Sequence, residues 1–172
     1  MALPSLKAQF DALLKLPSIS CTQDDMDQSN LPVVHLLASG LGDLGFACEI
    51  QPIPGEAGKA NLIATLGSGP GGLVMAGHTD TVPCNPERWQ HDPFKLTEQD
   101  GRWYGLGSCD MKGFFPLIIE AVRSYVDQPF KQPLIVLATA DEESSMSGAR
   151  ALVASGLPKA RHAVIGEPTG LK

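Results

Sequence analysis

The chain has 172 residues, 43% hydrophobic and 19% charged, which is enough to bury one sizeable core and matches the composition of an ordinary soluble globular protein. A net charge of −6 without a basic cluster argues against a general nucleic-acid binder, and no uninterrupted apolar segment reaches membrane-spanning length. The opening MALPSLKAQF lacks a basic region followed by a long apolar stretch, so a cytoplasmic location is expected.

In chain order, Leu6 to Leu16 carries apolar residues at helical spacing and stops at Pro17, and Leu31 to Leu44 predicts a second amphipathic helix ended by Gly45. Ala47 to Ile53 and Asn61 to Leu66 alternate or run apolar as strands do, and Gly72 to His78 is a third strand. After Pro83 a polar and aromatic connection passes Trp89 and Phe94, and KLTEQDGRWYG predicts a hairpin turned at Asp100-Gly101. Met111 to Val126 predicts a helix that tolerates Pro116 near its start, where backbone N–H groups lack an intrahelical acceptor. PLIVLATA, Pro133 to Ala140, is uncharged and aliphatic, so it reads as a strand buried on both faces. Ser147 to Ser155 predicts a helix with Gly156 as C-cap, and His162 to Gly166 a last short strand. Cys21, Cys48, Cys84 and Cys109 form no C-x-x-C pair, so free thiols are expected.

Strands alternating with helices give an α/β fold, a mostly parallel or mixed sheet flanked by helices, and such sheets bind ligands beyond the carboxyl ends of their strands. There the sequence places its chemistry. Three predicted strands end in candidate metal ligands: the first at His78, the second at Glu142 and Glu143, the third at Glu167. Asp110, just before a helix, is a fourth candidate. An acidic triplet such as Asp141-Glu142-Glu143 is ordinarily a solvated turn, but four candidates at equivalent ends of neighbouring elements point to a shared metal site.

In H-T-D, residues two apart on an extended backbone face the same way, so the Asp80 carboxylate is expected to accept from the His78 imidazole and fix its tautomer. A bridging carboxylate can hold two divalent ions, an arrangement suited to hydrolysis. Asp110, Glu143 and Glu167 set three negative charges against four positive. Nitrogen and oxygen ligands without thiolate suit zinc first, with cobalt or manganese as substitutes. Glu142, left without an ion, suits the general base toward water. Asp141 receives no role beyond anchoring the turn.

At these residues the sequence resembles the acetylornithine deacetylase and succinyl-diaminopimelate desuccinylase family of two-metal hydrolases. The matching segments are GHTDTVP (Gly77 to Pro83), RWQHDPF (Arg88 to Phe94), YGLGSCDMKGFF (Tyr104 to Phe115), LATADEESSMSGAR (Leu137 to Arg150) and IGEPTG (Ile165 to Gly170), with PSIS and DQSN extending the likeness toward the N-terminus. DMKGFF and LATADEE look more like the deacetylase branch than the desuccinylase branch.

The resemblance implies a zinc-aminopeptidase-like catalytic domain with two zinc ions. In it Asp110 bridges the ions, His78 and Glu167 complete one site, Glu143 belongs to the other, Glu142 is the base, and Asp80 supports His78. It also implies a cis peptide at Asp110-Met111, a small-molecule N-acyl amino acid as substrate, and a role in arginine biosynthesis. Family members insert a dimerisation domain into the catalytic domain and complete the second metal site with a late histidine. Residues 1–172 are therefore expected to be the N-terminal part of a larger homodimeric enzyme, inactive alone, without nucleic-acid or membrane partners. His35, His91 and His162 match no family ligand position, and Cys109 is expected to serve only as a small residue. Desuccinylation, dipeptide hydrolysis and a noncatalytic metal-binding module stay open as alternatives.

Overall fold

The computed structural model describes residues 4–170; Met1, Ala2, Leu3, Leu171 and Lys172 lie outside the described residues. The elements run α1 (Leu6–Leu14), α2 (Leu31–Asp43), β1 (Ala47–Pro52), β2 (Ala60–Leu66), β3 (Leu73–His78), β4 (Thr97–Gln99), β5 (Arg102–Tyr104), α3 (Phe114–Arg123), β6 (Leu134–Thr139), α4 (Ser147–Ser155) and β7 (His162–Ile165). A single 3-10 turn, Pro86–Arg88, lies between β3 and β4.

One sheet organises the fold, in the order β1-β2-β6-β3-β7. Because side chains alternate across a strand, each central strand feeds two cores. Leu62, Ala64, Val136 and Ala138 face α2 and α3, where Val34, Leu37, Leu41, Phe115 and Ile119 join them. Ile63, Ile135, Leu137 and Val74 face the other way and meet Leu152 of α4. The uncharged PLIVLATA run is accordingly the middle strand, buried on both faces as its composition predicts.

The sheet is mixed rather than mostly parallel. β1 and β2 run antiparallel to their neighbours, while β3 pairs parallel with both β6 and β7. β7 is also exposed along its length, because it lies at the sheet edge rather than inside. The β4–β5 hairpin turns at Asp100-Gly101, both at positive φ (52° and 69°), the conformation a tight two-residue hairpin demands.

Two helices are shorter than their periodicity predicts. α1 stops at Leu14, and the Leu13 and Leu16 carbonyls turn inward to the buried Lys112 ammonium. α3 starts at Phe114 rather than Met111 because residues 111–113 are used in a turn, where a Cβ on Gly113 would lie 2.1 Å from the Ser108 carbonyl oxygen. Pro116 is then the third helical residue, where it removes no intrahelical bond. α4 and its left-handed Gly156 cap form as the sequence predicts. The four cysteines are free, and no helix among the described residues is long and apolar enough to cross a membrane.

Asn30, buried just before α2, ties these parts together. Its side chain donates to the Ala60 carbonyl (2.8 Å) and the Thr79 hydroxyl (2.7 Å), and accepts from the Ala60 N–H (3.0 Å). Replacing it with leucine strands the backbone groups of Ala60 in the core. Asn30→Leu should therefore lower the unfolding free energy by roughly 2–4 kcal/mol in urea titrations, whereas a change within about 0.5 kcal/mol would mean that the strand does not depend on this bond.

Candidate metal centre

Parallel pairing brings the carboxyl ends of β3, β6 and β7 to one edge of the sheet. His78 closes β3 opposite Thr139, the last residue of β6. Glu142 and Glu143 follow shortly after β6, and Glu167 shortly after β7. Asp110 arrives from the long connection between β5 and α3, at a cis peptide bond with Met111.

These side chains converge. The buried His78 ring directs Nδ1 to the Asp80 carbonyl at 3.0 Å, and Nε2 faces Asp110 Oδ1 at 3.2 Å, Glu167 Oε1 at 3.6 Å and Glu142 Oε2 at 3.9 Å. A neutral imidazole has a single N–H, and the bond to the Asp80 carbonyl assigns it to Nδ1. Nε2 then offers a lone pair to three carboxylates, acceptor against acceptor. A cation between them turns that repulsion into coordination, so the donor set fits a divalent ion. Two overlapping groups have ligand atoms mutually within 4.8 Å: His78 with Asp110 and Glu143, and His78 with Glu142 and Glu167.

Asp80 differs from the sequence expectation. β3 ends at His78, so strand alternation no longer governs Asp80, and its backbone carbonyl reaches the imidazole. The carboxylate lies farther away, with Oδ1 3.6 Å from Nδ1 and without a hydrogen-bond partner, while Oδ2 accepts from the Glu143 N–H at 3.0 Å. Asp80 thus joins the β3 end to the β6 loop. Burial pushes its carboxyl above the usual range, opposed first by that N–H. Glu143 and Glu167 are also raised, first by burial, with the Asp110 charge adding to it.

Asp141, given only a turn-anchoring role from sequence, is the most connected member of the acidic triplet. It is buried, at φ 55°, and its carboxylate accepts from Lys59 Nζ (2.8 Å), Ser20 Oγ (3.0 Å) and Ser147 Oγ (2.8 Å). Asn61 closes the same loop from β2, accepting from the Ala140 N–H and donating to the Gly148 carbonyl. Any side chain at Gly148 would collide with it, at 2.4 Å from Asn61 Oδ1. Sequence reading missed Lys59, Asn61 and Ser20, although a lysine set directly against a buried apolar strand was a legible signal.

The remaining histidines stay out of the site's ligand groups: His35 and His162 are exposed, and His91 bonds Gln99 at 2.9 Å. Cys109 is exposed beside Asp110 and belongs to neither ligand group.

The sheet, the cluster at its carboxyl edge and the sequence segments that build them belong to a known class. The model of peptidase family M20/M25/M40 matches residues 74–172, and the chain belongs to that family of hydrolases. The acetylornithine deacetylase of Proteus mirabilis is 52% identical over 170 residues, which cover 99% of this chain and 44% of that protein. Among solved structures, human carnosine dipeptidase 1 superposes with a TM-score of 0.79 at 21% identity, over 95% of this chain and 38% of that one. The M20 family metallo-carboxypeptidase Sso-CP2 of Sulfolobus solfataricus gives 0.76 at 20% identity, over 95% and 37%. The chain spans less than half the length of each.

Zinc should stabilise the fold by relieving carboxylate repulsion. A hundredfold excess over Kd should add about 2.7 kcal/mol to the unfolding free energy, and His78→Ala should remove that gain. Protons compete for the same carboxylates. Because Glu143 and Glu167 are raised, zinc affinity in calorimetric titrations should begin to fall while the pH is still above the ordinary carboxylate range. Zinc that leaves the wild-type unfolding curve unmoved would contradict the site.

Proposed function

We propose that the full-length protein is a two-zinc amide hydrolase that converts N-acetyl-L-ornithine to L-ornithine and acetate, in the cytoplasm and as a homodimer, within arginine biosynthesis. The observation that carries the reading is the His78 imidazole facing carboxylates from three separate loops, with Glu142 among them. The 52% identity to the Proteus mirabilis acetylornithine deacetylase supports the choice of acyl group. In this reading residues 1–172 form the N-terminal part of the catalytic domain, and a dimerisation domain and a C-terminal segment complete it.

His78, Asp110 and Glu167 would hold one ion, Asp110 and Glu143 the other, with cobalt or manganese as substitutes for zinc. Bound divalent ions supply Lewis-acid polarisation of the acyl carbonyl and lower the pKa of water. Asp80 keeps the His78 proton on Nδ1 through its carbonyl, so Nε2 is the coordinating atom. Glu142, its carboxylate half-exposed at the cluster, takes a proton from the attacking water and returns it to the departing amine. Adjacent residues on one loop thereby divide the work of ligand and base.

Glu142→Gln keeps the side chain's shape and removes its basicity. In the full-length protein it should retain metal content while deacetylation falls about 10²–10⁴-fold, and activity near wild type would overturn the role of Glu142. Substrate choice is tested by kcat/KM for N-acetylornithine, N-succinyl-diaminopimelate and a dipeptide such as carnosine. The acetyl substrate should lead. A clear preference for the succinyl compound or the dipeptide would move the protein to another branch.

A further inference from the structure

We propose that Lys59 is a positioning residue of the metal centre, acting through Asp141 to fix the loop that presents Glu142 and Glu143. The proposal rests on the reading that Glu143 holds a metal ion.

The contacts run without a gap from Lys59 to His78. The Lys59 side chain is 3% exposed, and its ammonium lies 2.8 Å from both Asp141 Oδ1 and Asp27 Oδ1. Asp141 Oδ1 also accepts from Ser20 Oγ, and Ser20 bonds Ser144 in the same loop. The Asp141 carbonyl accepts from the Met146 N–H at 2.6 Å, which closes the loop as a tight turn around Glu142 and Glu143. At the other side of that turn the Glu143 N–H binds the Asp80 carboxylate, whose own carbonyl holds His78 Nδ1. A change in the Asp141 backbone therefore moves both glutamates and reaches the imidazole.

That backbone needs a fixed partner. Asp141 sits at φ 55°, in the left-handed region an ordinary residue avoids, and such conformations persist where the surroundings over-determine them. A buried carboxylate also requires a counter-charge, which Lys59 supplies from the start of β2. Burial alone would weaken the ammonium, but its bonds to Asp141 and Asp27 outweigh that and raise its pKa, so Lys59 stays charged at neutral pH. Asn61, two residues on, holds Ala140 and Gly148 on either side of the same loop. The N-terminal end of β2 thus grips both ends of the segment bearing the glutamates.

The test measures metal binding by the full-length protein, in which Glu143 would hold its ion, using zinc calorimetry and the visible spectrum of the cobalt-loaded protein. Lys59→Met should lower zinc affinity at least tenfold and alter the cobalt bands. Because that variant leaves Asp141 buried without its cation, the double variant Lys59→Met/Asp141→Asn is measured beside it, with near-ultraviolet circular dichroism reporting its fold. A folded double variant that still shows weakened zinc binding and altered cobalt bands supports positioning. Wild-type affinity and spectrum in that folded double variant would reduce Lys59 to a stabilising ion pair and overturn the proposal. Lys59→Arg, which keeps the charge, should restore most of the affinity lost in Lys59→Met. Glu143→Gln is the control for the underlying reading: if it binds zinc as tightly as wild type, the assignment of Glu143 as a ligand fails, and not the Lys59 linkage.

Discussion

Like charge gathered around one imidazole is the constraint to which the rest of this structure answers. Asp110, Glu142, Glu143 and Glu167 are brought together with His78 in two overlapping groups, and buried Asp80 and Asp141 stand directly behind them. Two unit charges 4 Å apart interact by about 1 kcal/mol in water and about 4 kcal/mol at the effective dielectric of a protein surface, so several such pairs cost a large share of a domain's stability. The chain meets this cost with two buried cations. Lys59 neutralises the Asp141 side, and Lys112 lies on the other, its ammonium held by the Leu13 and Leu16 carbonyls and near the Ser18 hydroxyl. Burial pulls Lys112 down to about 8, while the Asp80 charge acts in the opposite direction. Carbonyls at the end of α1 favour the cation further, since the C-terminal pole of a helix is negative.

The two lysines are joined by the segment Ser18 to Ser20. The Ser18 hydroxyl donates to the Thr79 carbonyl and the Ser18 carbonyl accepts from the Thr81 N–H, while the Ser20 N–H donates to the Thr81 carbonyl and its hydroxyl donates to Asp141. A short stretch far from the strand ends in sequence therefore forms the floor beneath His78 and Asp80. Asn30 adds a second tie from α2 to Thr79. The parallel strands set which side chains meet, and this polar floor sets how they are held.

The cluster itself was legible because its signals are local: a charged or imidazole residue closing an apolar run predicts a ligand at a strand end, and three such runs predict a shared edge. His78, Glu142, Glu143 and Glu167 fall there, with Asp110 joined to them. The central position of β6 followed from its lack of charge in the same way. Sheet direction was less legible, since the antiparallel β2–β6 pairing depends on which edge β2 joins and not on its own residues. The Asp80 contact was misread because alternation applies only while the chain stays extended. Lys59, Lys112, Ser20 and Asn30 escaped for a different reason. Their side-chain partners lie between 30 and 124 residues away, and nothing in a single sequence pairs a buried lysine with the carboxylate it will meet.

That division between visible ligands and hidden supports follows from what a cation site needs. Ligands that satisfied one another by hydrogen bonding would have to break those bonds for an ion to enter, which would weaken its binding. Orientation must then come from groups behind the ligands, while the ligand atoms keep their lone pairs turned toward the ion. The burial pattern fits this demand: the Asp110, Glu142 and Glu167 side chains stand 37–52% exposed, whereas those of His78, Asp80, Lys59 and Asp141 are at most 6% exposed. The exposed set is open to solvent at the cluster. The buried set is where changes far from any ligand can still alter the centre's geometry.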